Sequence, residues 1–291
     1  MNRLERDTPR PAPAAPANPI SRTAYYALAV RAWDAARPRP ACGDHYAAML
    51  MNADARGVWA RFETLDKPNG SNATRHAIID DGLRAELDEN PRARIVLIGA
   101  GFDTRAFRLR GGRWIEVDEP GLLEEKEQRL PAARAQNPLT RVPVRFAREP
   151  LVERLSPFAG PEPTIVVVEG VLMYLTQAER NELLQTLKTC YPRHTLYCDL
   201  MRRSFAESYG REIRSRLAAL GAGFKDMTEQ PEQLLLDHGY RSLLCRSIPL
   251  EAAERRAIDV PAFAIRWFLG KLRRGYCVWK WIYDAPPSRS T

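Results

Sequence analysis

The chain has 291 residues, 45% hydrophobic and 27% charged, which is apolar enough for one large domain or two small ones and argues against disorder as the default. Its net charge of +8 comes from 38 Arg and 6 Lys interleaved with 36 acids, without the basic, aromatic-spaced stripe that would mark a nucleic-acid surface. The five cysteines (Cys42, Cys190, Cys198, Cys245, Cys277) form no C-x-x-C pair and imply no disulfide framework, as in reduced cytoplasmic proteins, and no run approaches the roughly 18 apolar residues of a membrane span.

In chain order, residues 1–20 are rich in Pro and Ala, lack the apolar segment of a secretory signal and are expected to form a disordered tail. SRTAYYALAVRAWDAAR, from Ser21, has an N-cap and helical apolar spacing, and Arg-Pro-Arg-Pro at 37–40 ends it. Further helices are expected over Ala47–Met51 after a cap at Asp44, near Val58–Leu65, and over Ser71–Leu87 after a turn at Pro68-Asn69-Gly70. From Arg94 the pattern becomes β-rich runs alternating with helical segments: RIVLIG, RWIEVD, TRVPVRF, TIVVVE, HTLYCDL, YRSLLCRSI and YCVWKWIY. The helices fall at Gly121–Leu130, Thr176–Cys190, Ser204–Leu220 and Pro231–His238, and helical structure also fits ERRAIDVPAFAIRWFLGKL. Such alternation specifies an α/β fold, a parallel sheet covered on both faces. WFLGKLRRGYCVWKWIYD reads as a packing helix and a core strand, not a membrane surface.

The strand Arg94–Ile98 delivers Gly99-Ala100-Gly101 to its carboxyl end, where doubly wound folds bind ligands, and Asp118 follows 19 residues after Gly99 at the end of the next strand. A carboxylate there can accept hydrogen bonds from both hydroxyls of a ribose. A dinucleotide would want a third glycine to seat its pyrophosphate; Thr104 stands there instead, which favours a nucleoside ligand without phosphates, S-adenosylmethionine being the common one. A tight turn with no ligand would use the same glycines. Asp103 and Arg105, beside them, could pair locally and stiffen the turn.

VLIGAGFDTRAFRL, then WIEVDEPGLLEEK and VVVEGVLMYLTQAE, preceded by TAYYALAVRAWDAA, GDHYAAML and NATRHAIIDDGL, resemble the leucine carboxyl methyltransferase family in order from about Ser21 to Leu200. That family includes the protein phosphatase carboxyl methyltransferases and bacterial tetracenomycin-type polyketide carboxyl methyltransferases. The resemblance implies a class I methyltransferase (Rossmann-like) fold, a seven-stranded, mostly parallel sheet with an antiparallel last strand. It divides the chain into a helical lid (21–90), a cofactor-binding core (91–200), a substrate-covering helical insertion (201–239) and the final strands (240–291). Carried over residue by residue, Arg75 would reach the methionyl carboxylate of S-adenosylmethionine, Gly99 and Gly101 would line its path, and Asp118 would hold the ribose. Glu169 would lie under the methionyl end, Phe146 would cover the adenine, and Tyr174 would face the acceptor.

Other readings of these residues stay open. Arg75 on a helix is often a solvated charge, and Tyr174 a half-buried packing residue. Glu169 stands out unaided, because a carboxylate directly after four apolar residues is costly to bury without a partner. After the third strand the family usually carries an acid at the adenine end; here VPVRFARE has Arg145, which puts that contact in doubt. His45 replaces a common proline.

Methyl transfer from a sulfonium is an in-line displacement, and a carboxylate acceptor is already ionised and needs no general base. That suits a sequence whose four histidines (His45, His76, His194, His238) show no metal spacing and no acid–base partner, although His76 adjoins Arg75. Arg75 and Tyr174 are the candidates to meet the acceptor's charge. The expected activity is therefore carboxyl methylation of a small-molecule, secondary-metabolite acid, with selection by the Arg-rich region Met201–Pro231. A phenol O-methyltransferase on the same fold and a non-catalytic cofactor-binding member remain alternatives. An NAD-dependent oxidoreductase would want the third glycine, and a nucleic-acid methyltransferase an Asn/Asp-Pro-Pro-Tyr or Pro-Cys motif.

Overall fold

The computed structural model describes residues 19–146 and 148–285; the expected N-terminal tail lies almost wholly outside them. Four helices precede the sheet: α1 (Arg22–Ala35), α2 (Ala47–Leu50), α3 (Ala53–Trp59) and α4 (Asp66–Glu89). Then come β1 (Arg94–Ile98), α5 (Arg105–Arg108), β2 (Arg113–Asp118), α6 (Pro120–Arg129), β3 (Leu139–Pro143), α7 (Leu151–Leu155) and β4 (Thr164–Val168). After a 3₁₀ turn at Leu172–Tyr174 follow α8 (Gln177–Cys190), β5 (Arg193–Met201), α9 (Arg203–Glu207), α10 (Arg211–Ala219) and α11 (Gln233–Asp237). The chain closes with β6 (Arg241–Ser247), α12 (Ile248–Glu254), α13 (Ala262–Trp267), α14 (Gly270–Gly275) and β7 (Tyr276–Asp284).

The strands form one seven-stranded sheet in the order β3-β2-β1-β4-β5-β7-β6, and β7 runs antiparallel to both of its neighbours. This is the expected class I methyltransferase arrangement. Alternation within the strands feeds two apolar layers: Ile95, Leu97, Trp114, Ile165, Val167 and Tyr197 on one face, Val96, Ile98, Ile115, Val117, Val166 and Cys198 on the other. Strand order reverses at β1, whose neighbours β2 and β4 carry Asp118 and Glu169 at or just past their carboxyl ends. Chain direction and strand alternation thus bring two distant acids to one edge.

Several boundaries differ from the sequence expectation. Pro68, Asn69 and Gly70 make no turn but sit inside the first turns of α4. Proline is tolerated there because a first-turn N–H has no intrahelical acceptor. Gly70 leaves room for another segment: a Cβ would lie 2.2 Å from the Ala257 carbonyl oxygen. The third helix starts at Ala53, earlier than expected, because the Asn52 side chain accepts the Ala55 N–H and caps it. The helix expected over Ser204–Leu220 breaks into α9 and α10, where the Ser208 hydroxyl bonds back to the Ser204 carbonyl and Gly210 turns against Ala206.

The expected packing helix in WFLGKLRRG is also wrong in part. Ile265 is buried and anchors α13, but Phe263, Trp267 and Phe268 are 63%, 75% and 77% exposed. No described helix is long and apolar enough to cross a membrane.

Candidate active site

The turn after β1 is held by the second strand: the Gly99 and Ala100 N–H groups both donate to the Val117 carbonyl. Gly99 and Gly101 have φ of 68° and 48°, a region that favours glycine. Neighbours come close at both: a Cβ on Gly99 would lie 2.5 Å from Val171 Cγ2, and one on Gly101 3.1 Å from the Ala24 methyl of α1. Asp118 completes the turn by accepting the Gly101 N–H on one oxygen and the Glu119 N–H on the other. Burial pushes its carboxyl up to about 6, only partly offset by those two N–H groups and by the more distant Lys126.

Around Glu169 the chemistry is ionic. Arg75, on α4, donates from Nε to Glu169 at 3.1 Å and from Nη1 to Asp199 at 3.3 Å and the Tyr276 hydroxyl at 2.7 Å. Tyr276 in turn donates to Asp199, which also accepts the Gly170 N–H. Arg105 donates to Asp80, Asp103 and Glu169 at 2.6, 2.6 and 2.8 Å. His76 Nδ1 lies 3.1 Å from Glu169 and its Nε2 2.9 Å from an Arg108 nitrogen. Nδ1 also lies 2.8 Å from Arg105 Nη2, so the ring sits among two guanidiniums and the carboxylate. Burial alone would raise the Glu169 carboxyl, but Arg105, His76 and Arg75 override it and hold it well below the usual carboxylate range.

His76, Asp103 and Glu169 are grouped closely enough to hold a metal ion. Arg105 already bonds both carboxylates, so a guanidinium supplies the positive charge that a metal would bring. The local Asp103–Arg105 pair expected from sequence is present, and Arg105 goes on to join β1's turn to α4 and β4.

One cavity of about 1040 Å³ runs past these groups. Gly99, Gly101, Asp118, Phe146, Arg75, Glu169 and Tyr174 all line it, so these seven candidates reach the same space, whereas His76 is not in its lining. Met173, Phe205, Ile213, Leu217 and Phe224 add an apolar stretch to its lining, and α1 and α4 supply part of the wall. Tyr174 meets Phe224 edge to face at 5.5 Å, and burial pushes its phenol above the usual range. Arg180 ties this region together by bonding the carbonyls of Leu172, Lys225 and Asp226. Arg145, its side chain exposed, pairs with Glu149, and both line the cavity beside Phe146, which is 37% exposed at the rim.

The donor set fits the nucleoside part of the expected cofactor. Asp118 is met by backbone N–H groups alone and keeps lone pairs toward the cavity. Arg75 Nη2 has no acceptor among the described residues. Sequence reading missed Asp199 and Tyr276; the signal available was an acid inside the otherwise apolar run LYCDL.

Residues 24–188 match the family model of the leucine carboxyl methyltransferases. A Mycolicibacterium smegmatis protein named "putative S-adenosyl-L-methionine-dependent methyltransferase" is 33% identical over 183 residues, 57% of this chain and 61% of its own length. A Parafrankia protein of the same description is 34% identical over 184 residues, 57% of each chain. The matches thus span about three fifths of these relatives' lengths. Among solved structures, a DUF574 family protein from Streptomyces avermitilis shares the fold, with a TM-score of 0.58 at 11% identity over 89% of this chain and 97% of that one. With the motifs in register, the sheet in the class I order and the family model covering 24–188, the chain belongs to the leucine carboxyl methyltransferase family.

Proposed function

We propose that the chain is an S-adenosylmethionine-dependent methyltransferase that esterifies a carboxylate of a small-molecule acid. The observation that carries this reading is that one cavity is lined by Asp118, the glycine turn, Arg75 and Glu169 together with a set of apolar side chains. Asp118 binds the ribose hydroxyls, Phe146 covers the adenine, Gly99 and Gly101 admit the chain of the cofactor, and Arg75 takes its carboxylate on Nη2. Glu169, kept ionised, orients Arg75 and lies under the methionyl end. Bound there, the cofactor supplies an electrophilic methyl group on sulfur. The remaining task of the protein is alignment, with Tyr174 and Arg75 as hydrogen-bond donors to the acceptor carboxylate.

The lack of a placed base favours a carboxylate over a phenol. The Glu169 carboxylate is engaged by arginines, His76 sits behind it in the ion network, and burial makes the Tyr174 phenol a donor rather than a base. In this reading α1–α4 serve as a lid, and residues 201–239 select an acid of the secondary-metabolite class.

Calorimetric titration with S-adenosylmethionine and with NAD, followed by transfer from the labelled donor to panels of carboxylic acids and phenols, tests the proposal. The expected result is micromolar binding of the methyl donor alone, lost in Asp118→Ala, and esterification of acids. Tyr174→Phe should lower turnover about tenfold, the loss of one hydrogen bond to a charged acceptor. Transfer to phenols but not acids would overturn the acceptor class, and absence of donor binding would move the chain to the non-catalytic reading.

A further inference from the structure

Residues 260–283 contain five cations and no acid. Within them, α13 and α14 form a feature that the methyl-transfer reading does not use. Ile265 is buried and pins the segment to the body, while Phe263, Trp267 and Phe268 project with 63%, 75% and 77% of their surface free. Single exposed apolar residues are ordinary, but three large aromatic rings within six residues form a patch that needs a partner. Lys271, Arg273 and Arg274 follow immediately, and none has a carboxylate partner among the described residues; Arg266 is paired with Glu254.

The charge says what kind of partner fits. A second copy docked about a two-fold axis would set these cations against their equivalents, which repel. A peptide groove is a poor description of rings that project rather than line a cleft. Exposed aromatics flanked by Lys and Arg are the chemistry of the headgroup boundary, where rings enter the acyl edge and cations meet anionic lipid. Position supports the same partner: Leu269, just after the rings, and Leu272, among the cations, line the large cavity, so the patch and the cavity share a wall. We infer that the α13–α14 segment is a docking surface for an anionic lipid bilayer, with Phe263, Trp267 and Phe268 inserted and Lys271, Arg273 and Arg274 on the headgroups.

Flotation of the full chain with vesicles of phosphatidylcholine, alone or with about 30% phosphatidylglycerol, tests this. The wild type should float with the anionic vesicles and hardly with the neutral ones. Lys271→Ala with Arg274→Ala should weaken binding about 30-fold at low salt, and Trp267→Ser with Phe268→Ser should abolish it. Near-UV circular dichroism and thermal midpoints check that these exposed substitutions leave the fold intact. Three outcomes would overturn the inference: no vesicle binding by the wild type, equal binding by all variants, or a wild-type dimer that becomes monomeric in the aromatic variant. Retention on an acidic polypeptide matrix without vesicle binding would assign the patch to an acidic protein and overturn it as well. The readout requires neither cofactor nor turnover, so its failure leaves the methyltransferase reading standing.

Discussion

Asp118 and Glu169 end the two strands that flank β1, both line one cavity, and both are largely enclosed, yet their carboxyls are pushed in opposite directions. Asp118 meets backbone N–H groups alone, so burial wins and its carboxyl rises to about 6. Glu169 meets two guanidiniums and an imidazole, so charge wins and it falls well below the usual range. The difference separates their duties. Glu169 neutralises a cation cluster and holds helix, turn and strand in register, whereas Asp118 stands poised for a ligand whose hydroxyls would supply the bonds it lacks.

The most severe way to break the contrast is Arg105→Ala. That change leaves Asp80, Asp103 and Glu169 short of their shared cation in a buried cluster, and urea unfolding should show a loss of about 4 kcal/mol. A loss below about 1 kcal/mol would mean that the cluster is solvated and that Glu169 has no such structural duty. The sign with pH follows from its depressed carboxyl: Glu169 stabilises the fold above its unfolded pKa, and that contribution disappears as pH falls through the lower folded value.

Asp118→Asn sharpens the other side. Donor affinity, measured calorimetrically, should drop about tenfold or more while the unfolding free energy shifts by less than about 1 kcal/mol. A raised carboxyl favours the folded state below its unfolded pKa and loses that contribution as pH climbs through about 6, so removing this charge does not harm the fold near neutrality. Wild-type affinity should decline as pH falls through about 6, and the Asn variant should be flat across that window. A wild-type affinity independent of pH would detach Asp118 from the ligand. The smallest effect is expected at Arg145→Ala: its exposed side chain pairs with Glu149 at the cavity rim, so the melting midpoint should stay at its wild-type value and donor affinity should change by less than about twofold.

The glycine turn and Asp118 were legible because their relation is local. A buried strand must end, the chain must turn, and the next parallel strand returns an acid to the same edge. Glu169 was legible as an expensive carboxylate, but its partners were not, since Arg105 lies 64 positions away and Asp199 and Tyr276 enter only through β5 and β7. Arg105 looked like the local mate of Asp103, which it is, with nothing in the string to show that its other nitrogens reach Asp80 and Glu169. The aromatic run near the end misled for a related reason: composition predicts burial, but burial needs a neighbouring face, and none among the described residues covers Trp267 or Phe268.

By itself the sequence determined the strand and helix order, the sheet edge where Asp118 and Glu169 meet, and the family, because hydrophobic period, glycine turns and motif spacing are properties of neighbouring residues. Tertiary structure alone decided which cations meet Glu169, why Asp118 titrates high, how α1 and α4 wall the cavity and which aromatics face outward. Those depend on distances between residues far apart in the chain, and both the charge on a buried group and the exposure of a ring are set by whatever the fold places beside them.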